Sequence, residues 1–86
     1  MHSAMPYFFY LARCADDSLY AGSCIDLSAR EELHNTGKGA KYTRSRKPVK
    51  IIYHEEFPTL SASRKREAEV KTWRKKKKEQ LAQREE

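Results

Sequence analysis

Five side chains in this sequence have types and spacing that could serve phosphodiester hydrolysis: Tyr10, Tyr20, Arg30, His34 and Glu67. The reaction needs a proton acceptor beside the attacking water and a fixed positive charge beside the phosphate. Tyrosine or histidine can accept the proton, and arginine can supply the charge. A carboxylate can hold a divalent metal ion. Arg30 and His34 are one helical turn apart, so both can face the same site.

Each of these residues also has an ordinary structural explanation. Tyr10 and Tyr20 could be half-buried aromatic residues of a sheet. Arg30 could be a solvated helix residue paired with a nearby acid, and His34 could place a favourable charge near a helix end. Glu67 is surrounded in sequence by basic residues and could belong to a solvated network of ion pairs. Taken singly, the residues therefore leave both interpretations open.

Three segments have the composition of β-strands. Residues 7–13 are rich in aromatic residues, and their nearly continuous apolar run favours a central strand. Residues 18–22 form a second short strand after a turn, so these two segments predict a hairpin. Residues 49–55 are rich in β-branched residues and predict a third strand.

The loop of the hairpin decides whether the two tyrosines share a face of the sheet. A two-residue loop would place Tyr10 and Tyr20 on opposite faces. A three-residue loop ending in a left-handed Asp17 would pair Tyr10 with Gly22 and put both tyrosines on one face. We prefer the longer loop because it explains a glycine that would otherwise weaken its strand.

Three helices are predicted around these strands. Asp26 is the expected N-cap of the first helix, which ends at Gly37. The second is a short helical turn over residues 40–45. The last helix is capped by Thr59 or Ser61 and carries Glu67 on one stripe of its surface.

The predicted fold class is therefore α+β, a three-stranded antiparallel sheet flanked by helices in the order β-β-α-α-β-α. The chain of 86 residues is long enough for one domain, covering residues 1–86. We expect its core to span about residues 7–73. The basic helical tail over 74–86 is expected to fray.

The charge of the chain favours an anionic partner. Its 18 Lys and Arg against 12 Asp and Glu give a net charge of +6. Nucleic acid is the first candidate for such a partner. The segment 37–41 looks like a phosphate loop but lacks the Walker spacing, so we reject nucleotide hydrolysis.

The apolar runs and the cysteines of the sequence indicate the cellular compartment. The longest apolar run is too short to span a bilayer, and residues 1–6 do not form a signal peptide. Cys14 and Cys24 make no disulfide framework, and the three histidines lack zinc spacing. We expect a cytoplasmic monomer with two free thiols and no membrane partner. Met5 is a candidate natural start.

The ordered set of residues resembles the GIY-YIG nuclease superfamily, most closely its small stand-alone bacterial members, the YhbQ-like proteins. The resemblance covers about residues 7–73. It is carried by Tyr10, Tyr20-Ala21-Gly22, Arg30, His34, the segment 37–43 and Glu67. The tyrosine that ends the first family motif matches Tyr10, whereas the glycine and isoleucine before it are Phe8 and Phe9 here.

This resemblance implies a metal-dependent endonuclease that acts on DNA or structured nucleic acid, with DNA favoured over RNA. Glu67 would hold one Mg²⁺ or Mn²⁺ ion. Tyr10 or Tyr20 would take the proton of the attacking water, with a nearby cation lowering the tyrosine pKa. Arg30 would neutralise charge in the transition state, and His34 would orient the water or move its proton.

Nucleic acid is expected to bind beside this site through phosphate contacts. The glycines and lysines after the first helix could cradle a phosphate, and neighbouring side chains could add hydroxyl or stacking contacts. The expected contact residues are Lys38, Lys41, Tyr42, Thr43, Arg44 and Arg46, together with the basic last helix.

Two other functions stay open at this point. The chain could be a nucleic-acid-binding module of the same fold without catalysis, or an accessory domain that acts through a protein partner. A carboxylate at position 67 inside a basic site favours the nuclease, since a binding module has no need of it.

Overall fold

The computed structural model describes residues 6–84, in which helices cover both faces of a three-stranded antiparallel sheet. The elements are β1 (Tyr7–Arg13), β2 (Leu19–Cys24), α1 (Leu27–Asn35), α2 (Lys41–Arg44), β3 (Lys50–Phe57), α3 (Leu60–Lys71) and α4 (Lys75–Ala82). The strand order is β2-β1-β3, so the aromatic-rich β1 is central, as its composition predicts. The α+β fold class is confirmed, with one helix more than expected. The candidate start at Met5 lies outside the described residues.

The hairpin between β1 and β2 has the predicted three-residue loop. Tyr10 pairs with Gly22, and Asp17 adopts the left-handed conformation with a φ of 71°. The backbone N–H of Cys14 donates to the carbonyl of Ser18 at 2.9 Å, which closes the loop. Because the side chains of a strand alternate between faces, this register puts Tyr10 on the same face as Tyr20, two residues before Gly22.

The two faces of the sheet are covered by different helices. On the tyrosine face, the face that carries Tyr10, the buried side chains pack with Leu27 of α1. On the opposite face, Phe9 packs with Val70 of α3 and Leu81 of α4. Residues of β1 thus alternate between two small cores, which is why its apolar run is nearly continuous.

Helices α1 and α3 begin where their capping residues predict, and α1 ends where Gly37 predicts. The Asp26 carboxylate accepts a hydrogen bond from the N–H of Ala29 at 3.0 Å, and the Thr59 hydroxyl accepts one from Ala62 at 3.1 Å. Gly37 follows α1 with a φ of 83°, the left-handed conformation that terminates helices. Within residues 6–84, no helix is long and apolar enough to cross a membrane.

The last part of the chain differs from the sequence prediction in two ways. It forms two helices where one was expected, and the tail that was expected to fray packs against the core. The chain leaves the helix at Thr72, whose hydroxyl donates to the carbonyl of Glu69 at 2.7 Å and so competes with helical bonding. A separate α4 follows, and its Leu81 is only 6% exposed. The core therefore extends beyond its expected end at Trp73.

An ion pair fixes α4 to the sheet. The guanidinium of Arg13 donates to both carboxylate oxygens of Glu79, with the Nη2–Oε1 distance at 2.8 Å. The hydrogen bonds from Arg13 and Lys75 lower the pKa of Glu79 to about 2. The carboxylate thus stays ionised and paired down to strongly acidic pH.

Both cysteines are free, as predicted. Cys14 and Cys24 are buried on the tyrosine face. The register places them at opposite ends of the hairpin, Cys24 opposite Phe8 and Cys14 beside the loop.

Candidate active site

A buried hydrogen bond joins Tyr10 to His34 on the tyrosine face. The Oη atom of Tyr10 lies 2.8 Å from Nε2 of His34, and both residues are only 1% exposed. Tyr10 comes from the central strand, while His34 projects from the last turn of α1. The predicted proximity of these two residues is therefore realised as direct contact.

The other ring nitrogen of His34 contacts Thr43 of α2. The distance between Nδ1 and the Thr43 Oγ1 is 2.8 Å, and the same hydroxyl donates to the carbonyl of Ala40 at 2.9 Å. Thr43 is fully buried. Its hydroxyl is therefore out of reach of a nucleic acid, which corrects its assignment as a nucleic-acid contact.

Two glycines make room for this pair. A Cβ atom at Gly22 would lie 2.5 Å from Oη of Tyr10. A Cβ atom at Gly39 would lie 2.3 Å from Nδ1 of His34 and 2.9 Å from its Cα. Any side chain at these positions would force the pair apart, so both glycines are needed for close packing rather than for turn geometry.

Burial controls the protonation of the pair. Desolvation raises the pKa of Tyr10, with repulsion from Tyr20 adding to it, and the attraction of Arg30 does not compensate. The pKa of His34 is lowered, first by desolvation and then by the positive charge of Arg30. The attraction of Arg30 lowers the pKa of Tyr10 in the expected direction, but burial outweighs it, so the two pKa shifts favour a protonated tyrosine beside a neutral histidine.

Tyr20 lies between the buried pair and a group of aromatic and basic side chains. Its ring centroid is 6.3 Å from that of Tyr10 and 5.5 Å from that of His34. The ring of Tyr42 stacks on Tyr20 at 5.9 Å, and the guanidinium of Arg46 lies 3.8 Å from the centre of the Tyr42 ring. Tyr20 is half-buried and thus more accessible than Tyr10.

Glu67 reaches the site from the opposite face of the sheet. It lies on α3, and its Oε1 accepts a hydrogen bond from the hydroxyl of Ser23 at 2.5 Å. Its Oε2 pairs with Nζ of Lys71 at 2.8 Å. Desolvation acts to raise the pKa of Glu67, but the hydrogen bonds from Lys71 and Ser23 outweigh it and lower the pKa.

A pocket at the free edge of β2 brings side chains from both faces together. Because β2 is an edge strand, residues of the two faces meet around it. The pocket has a volume of about 390 Å³ and is lined by Tyr10, Tyr20, Gly22, Ser23, Cys24, Ile25, Arg30, Leu60, Arg64 and Glu67. Arg30 also donates to the carbonyl of Ser23 at 3.4 Å, which holds its guanidinium over this edge. The expected site is therefore assembled, but around the edge rather than on one face.

The other expected nucleic-acid contacts divide into two groups. Lys38, Lys41 and Arg44 are exposed beyond α1, where a phosphate could reach them. Arg46 instead donates to the carboxylate of Asp16 at 2.9 Å and to the carbonyl of Tyr42 at 2.8 Å, so it ties α2 to the hairpin loop.

The donor set of the pocket suits a hard cation with few protein ligands. Within residues 6–84 there is no cluster of three or more His, Cys, Asp or Glu side chains that could hold a metal. Among the described residues that line the pocket, Glu67 is the one carboxylate. Mg²⁺ is commonly held by one or two carboxylates, with water and substrate phosphate completing its shell, so Glu67 fits such an ion.

Sequence reasoning missed Ser23 and Gly39 as parts of this arrangement, and it named Lys71 only among the basic residues of a possible ion-pair network around Glu67. The predicted register already placed Ser23 on the face opposite Tyr10, and α3 on that face could have suggested its contact with Glu67. Lys71 is four residues after Glu67, a spacing that predicts a helical ion pair. Gly39 gave no local signal, since its role depends on a ring five residues earlier in the chain.

The chain belongs to the GIY-YIG family. The family model described as the GIY-YIG catalytic domain matches residues 6–80, nearly the whole of the described chain. The domain is of a nuclease superfamily, and the resemblance inferred from the sequence is confirmed.

Within this family, the chain is similar to small bacterial proteins named UPF0213. It is 52% identical to a UPF0213 protein of Bacillus pumilus over 73 residues, which cover 85% of this chain and 74% of that relative. It is 48% identical to a UPF0213 protein of Staphylococcus aureus over 75 residues, which cover 87% of this chain and 92% of the relative. The likeness to YhbQ-like members is thereby confirmed.

Two solution NMR structures have the same fold. A UPF0213 protein from Bacillus halodurans has a TM-score of 0.56 and 40% identity, covering 90% of this chain and 82% of that one. A protein from E. faecalis has a TM-score of 0.60 and 41% identity, covering 93% of this chain and 85% of that one.

Proposed function

We propose that this protein is a metal-dependent endonuclease that cleaves DNA or structured nucleic acid. The observation that carries the proposal is the pocket at the edge of β2, which is lined by an arginine, a carboxylate and a tyrosine that contacts a buried histidine. These are the groups that phosphodiester hydrolysis needs for proton transfer and for charge neutralisation. Membership in the GIY-YIG family supports the same reaction class.

Tyr10 is the proton acceptor for the attacking water, and His34 receives the proton that Tyr10 gives up. Because burial raises the pKa of Tyr10, the residue stays protonated at neutral pH and can act as a base only by releasing its own proton in the same step. Nε2 of His34 is 2.8 Å away and accepts it. As the water oxygen bonds to phosphorus, the bond to the leaving oxygen breaks and the proton ends on His34.

Arg30 and Glu67 handle the charge of the phosphate. The guanidinium of Arg30, held over the pocket by the Ser23 carbonyl, neutralises charge on the phosphate oxygens in the transition state. Glu67 would hold one Mg²⁺ or Mn²⁺ ion. When bound, such an ion supplies charge neutralisation at the phosphate and at the leaving oxygen.

A basic groove next to the pocket provides a path for the nucleic-acid backbone. It has a volume of about 250 Å³ and is lined by Leu19, Tyr20, Ala21, Tyr42, Lys71 and Lys78. Tyr20 lines both the groove and the pocket, so the two adjoin at this residue. Three of the four lysines at the start of α4 have different surroundings: Lys75 pairs with Glu79, Lys77 lies over Trp73, and Lys78 faces the groove.

The proposal is tested by incubating the purified protein with single-stranded, duplex, branched and flap DNA and with the matching RNAs. We expect cleavage of at least one form with Mg²⁺ or Mn²⁺, a greater rate on DNA, and none with EDTA. An NMR titration with the same ions should shift the signals of Glu67 and its neighbours. Absence of both cleavage and metal-induced shifts would contradict the proposal.

The ion pair between Glu67 and Lys71 favours a second candidate, a nucleic-acid-binding module without catalysis. In the pair, the carboxylate is already neutralised by an ammonium group at 2.8 Å, which a metal ion would have to displace. Tight nucleic-acid binding without cleavage or metal-induced shifts would identify this function.

Replacing Lys78 by glutamate should weaken nucleic-acid binding and flatten its dependence on salt. If Lys78 contacts one phosphate, the slope of log affinity against log salt should decrease by about one, as each phosphate contact contributes roughly 0.9 on duplex DNA. Fluorescence anisotropy at several salt concentrations measures both quantities.

Lys76→Glu is the matched control, because it makes the same change of charge on the same helix. Lys76 is exposed and points about 200° around the helix from Lys78. The control should change affinity only slightly and leave the salt slope nearly unaltered. Equal effects of the two variants would show that only net charge matters and would remove the groove from the proposed binding path.

A further inference from the structure

We propose that Thr43 is a positioning residue that fixes the tautomer of His34 and thereby makes Nε2 the atom that accepts the proton of Tyr10. The tautomer follows from hydrogen bonds in the folded protein, and its catalytic consequence rests on the proposed function. Thr43 lies two residues after the segment 37–41, which looked from its sequence like a phosphate loop. In this proposal Thr43 is a support for the histidine instead.

The direction of each hydrogen bond follows from counting hydrogens. The hydroxyl of Thr43 has a single hydrogen, and the carbonyl of Ala40 can only accept. Oγ1 of Thr43 is 2.9 Å from the Ala40 oxygen, which also accepts from the backbone N–H groups of Thr43 and Arg44, and we assign the hydroxyl hydrogen to this contact. The contact at 2.8 Å between the same Oγ1 and Nδ1 of His34 then needs its hydrogen from the ring. Nδ1 is therefore the protonated nitrogen.

The remaining ring nitrogen must accept. A neutral imidazole has one N–H group, so Nε2 carries a lone pair when Nδ1 is protonated. This lone pair faces the hydroxyl of Tyr10 at 2.8 Å, and the hydroxyl donates to it. The contacts thus run in one direction, from Tyr10 through His34 and Thr43 to Ala40.

The surroundings of the ring favour this neutral form. His34 and Thr43 are at most 1% exposed, so bulk water does not supply alternative partners. The groups that face the ring are the hydroxyls of Tyr10 and Thr43, the ring of Tyr20 and the positive charge of Arg30. Among these groups there is no carboxylate to stabilise an imidazolium.

The opposite tautomer would remove the proposed base. With hydrogen on Nε2, the ring would donate to Tyr10, and the tyrosine hydrogen would have no acceptor on His34. Nδ1 would then face the Thr43 oxygen without a hydrogen between them unless Thr43 gave up its bond to Ala40. The hydrogen bond from Thr43 to the Ala40 carbonyl thus determines which nitrogen of His34 accepts the proton.

The experiment compares wild type, Thr43→Ser and Thr43→Val by long-range ¹⁵N–¹H NMR of histidine-labelled protein. Valine has the shape of threonine without the hydroxyl, and serine keeps the hydroxyl. We expect the Nδ1–H tautomer of His34 in wild type and in Thr43→Ser, and a substantial Nε2–H population in Thr43→Val. His34→Gln assigns the signals.

Two outcomes would overturn the proposal: an Nε2–H tautomer of His34 in wild type, or an unchanged Nδ1–H population in Thr43→Val. If Thr43→Val does not fold, the spectra of wild type and Thr43→Ser still test the proposal, because a hydroxyl at position 43 must give the Nδ1–H tautomer of His34. If the protein cleaves, Thr43→Val should lose about tenfold or more of the rate and Thr43→Ser should restore it. A protein that never cleaves would contradict the proposed function and leave the tautomer result standing.

Discussion

Replacing Glu67 by glutamine is expected to abolish cleavage and to leave nucleic-acid binding unchanged or slightly tighter. Among the described residues that line the pocket, Glu67 has the one carboxylate that could hold a metal ion. An ion that contributes several kcal/mol to the reaction corresponds to roughly a thousandfold or more in rate, at about 1.4 kcal/mol per factor of ten. Binding is spared because the substitution removes a negative charge that repels phosphate. Single-turnover cleavage and fluorescence anisotropy on one labelled substrate measure both effects.

Glu69→Gln is the control for this experiment. It makes the same change two residues later on α3, where the carboxylate pairs with Arg66 at 3.1 Å and is 56% exposed. We expect cleavage close to wild type, since exposed ion pairs contribute little. If the wild type cleaves and Glu67→Gln cleaves equally well, Glu67 is not the metal ligand.

Replacing Tyr10 by phenylalanine is expected to lower the cleavage rate by about 100- to 10,000-fold, the usual contribution of a positioned acid or base. The ring would stay packed in the sheet, but the oxygen that takes the proton from water would be gone. Nε2 of His34 would also lose its donor, so the variant should be less stable by about 1–3 kcal/mol. Cleavage under saturating protein and urea unfolding measure the two losses separately.

Tyr53→Phe separates the loss of a partly buried hydroxyl from the loss of the base. Tyr53 packs on the opposite face of the sheet, and its hydroxyl donates to Glu55 at 2.5 Å. This variant should lose some stability and keep its cleavage rate. If Tyr10→Phe cleaves as fast as wild type while Tyr20→Phe does not, the role of the base belongs to Tyr20.

The parts of the site that obey local rules could be predicted from the sequence. The left-handed preference of Asp17 and the small size of Gly22 together determined the register, and the register put Tyr10 and Tyr20 on one face. Asp26 and Gly37 bounded the helix that carries His34. Each of these inferences depends on neighbours within a few residues, where backbone geometry leaves few alternatives.

The parts of the site that depend on packing between distant segments could not be predicted from the sequence. Glu67 was expected in the same site as the two tyrosines, but Val70 on its helix packs against the opposite face, so the carboxylate reaches the site around the edge of β2. The run of lysines after Trp73 hid a docked helix, because the contacts that hold it, chiefly buried Leu81 and the ion pair of Glu79 with Arg13, join segments far apart in the chain. The burial of Thr43 depends on the histidine ring beneath it, which charge and loop composition do not reveal.

The ion pair of Lys71 with Glu67 has a thermodynamic consequence for the two ligands of the site. A cation that binds Oε2 of Glu67 must displace an ammonium group 2.8 Å away, and the released lysine lies beside the groove that also contains Lys78. A phosphate in that groove would give the released lysine a new partner, so it would offset part of the cost of displacement. Metal ion and nucleic acid would then bind cooperatively, and linkage requires each to raise the affinity of the other by the same factor.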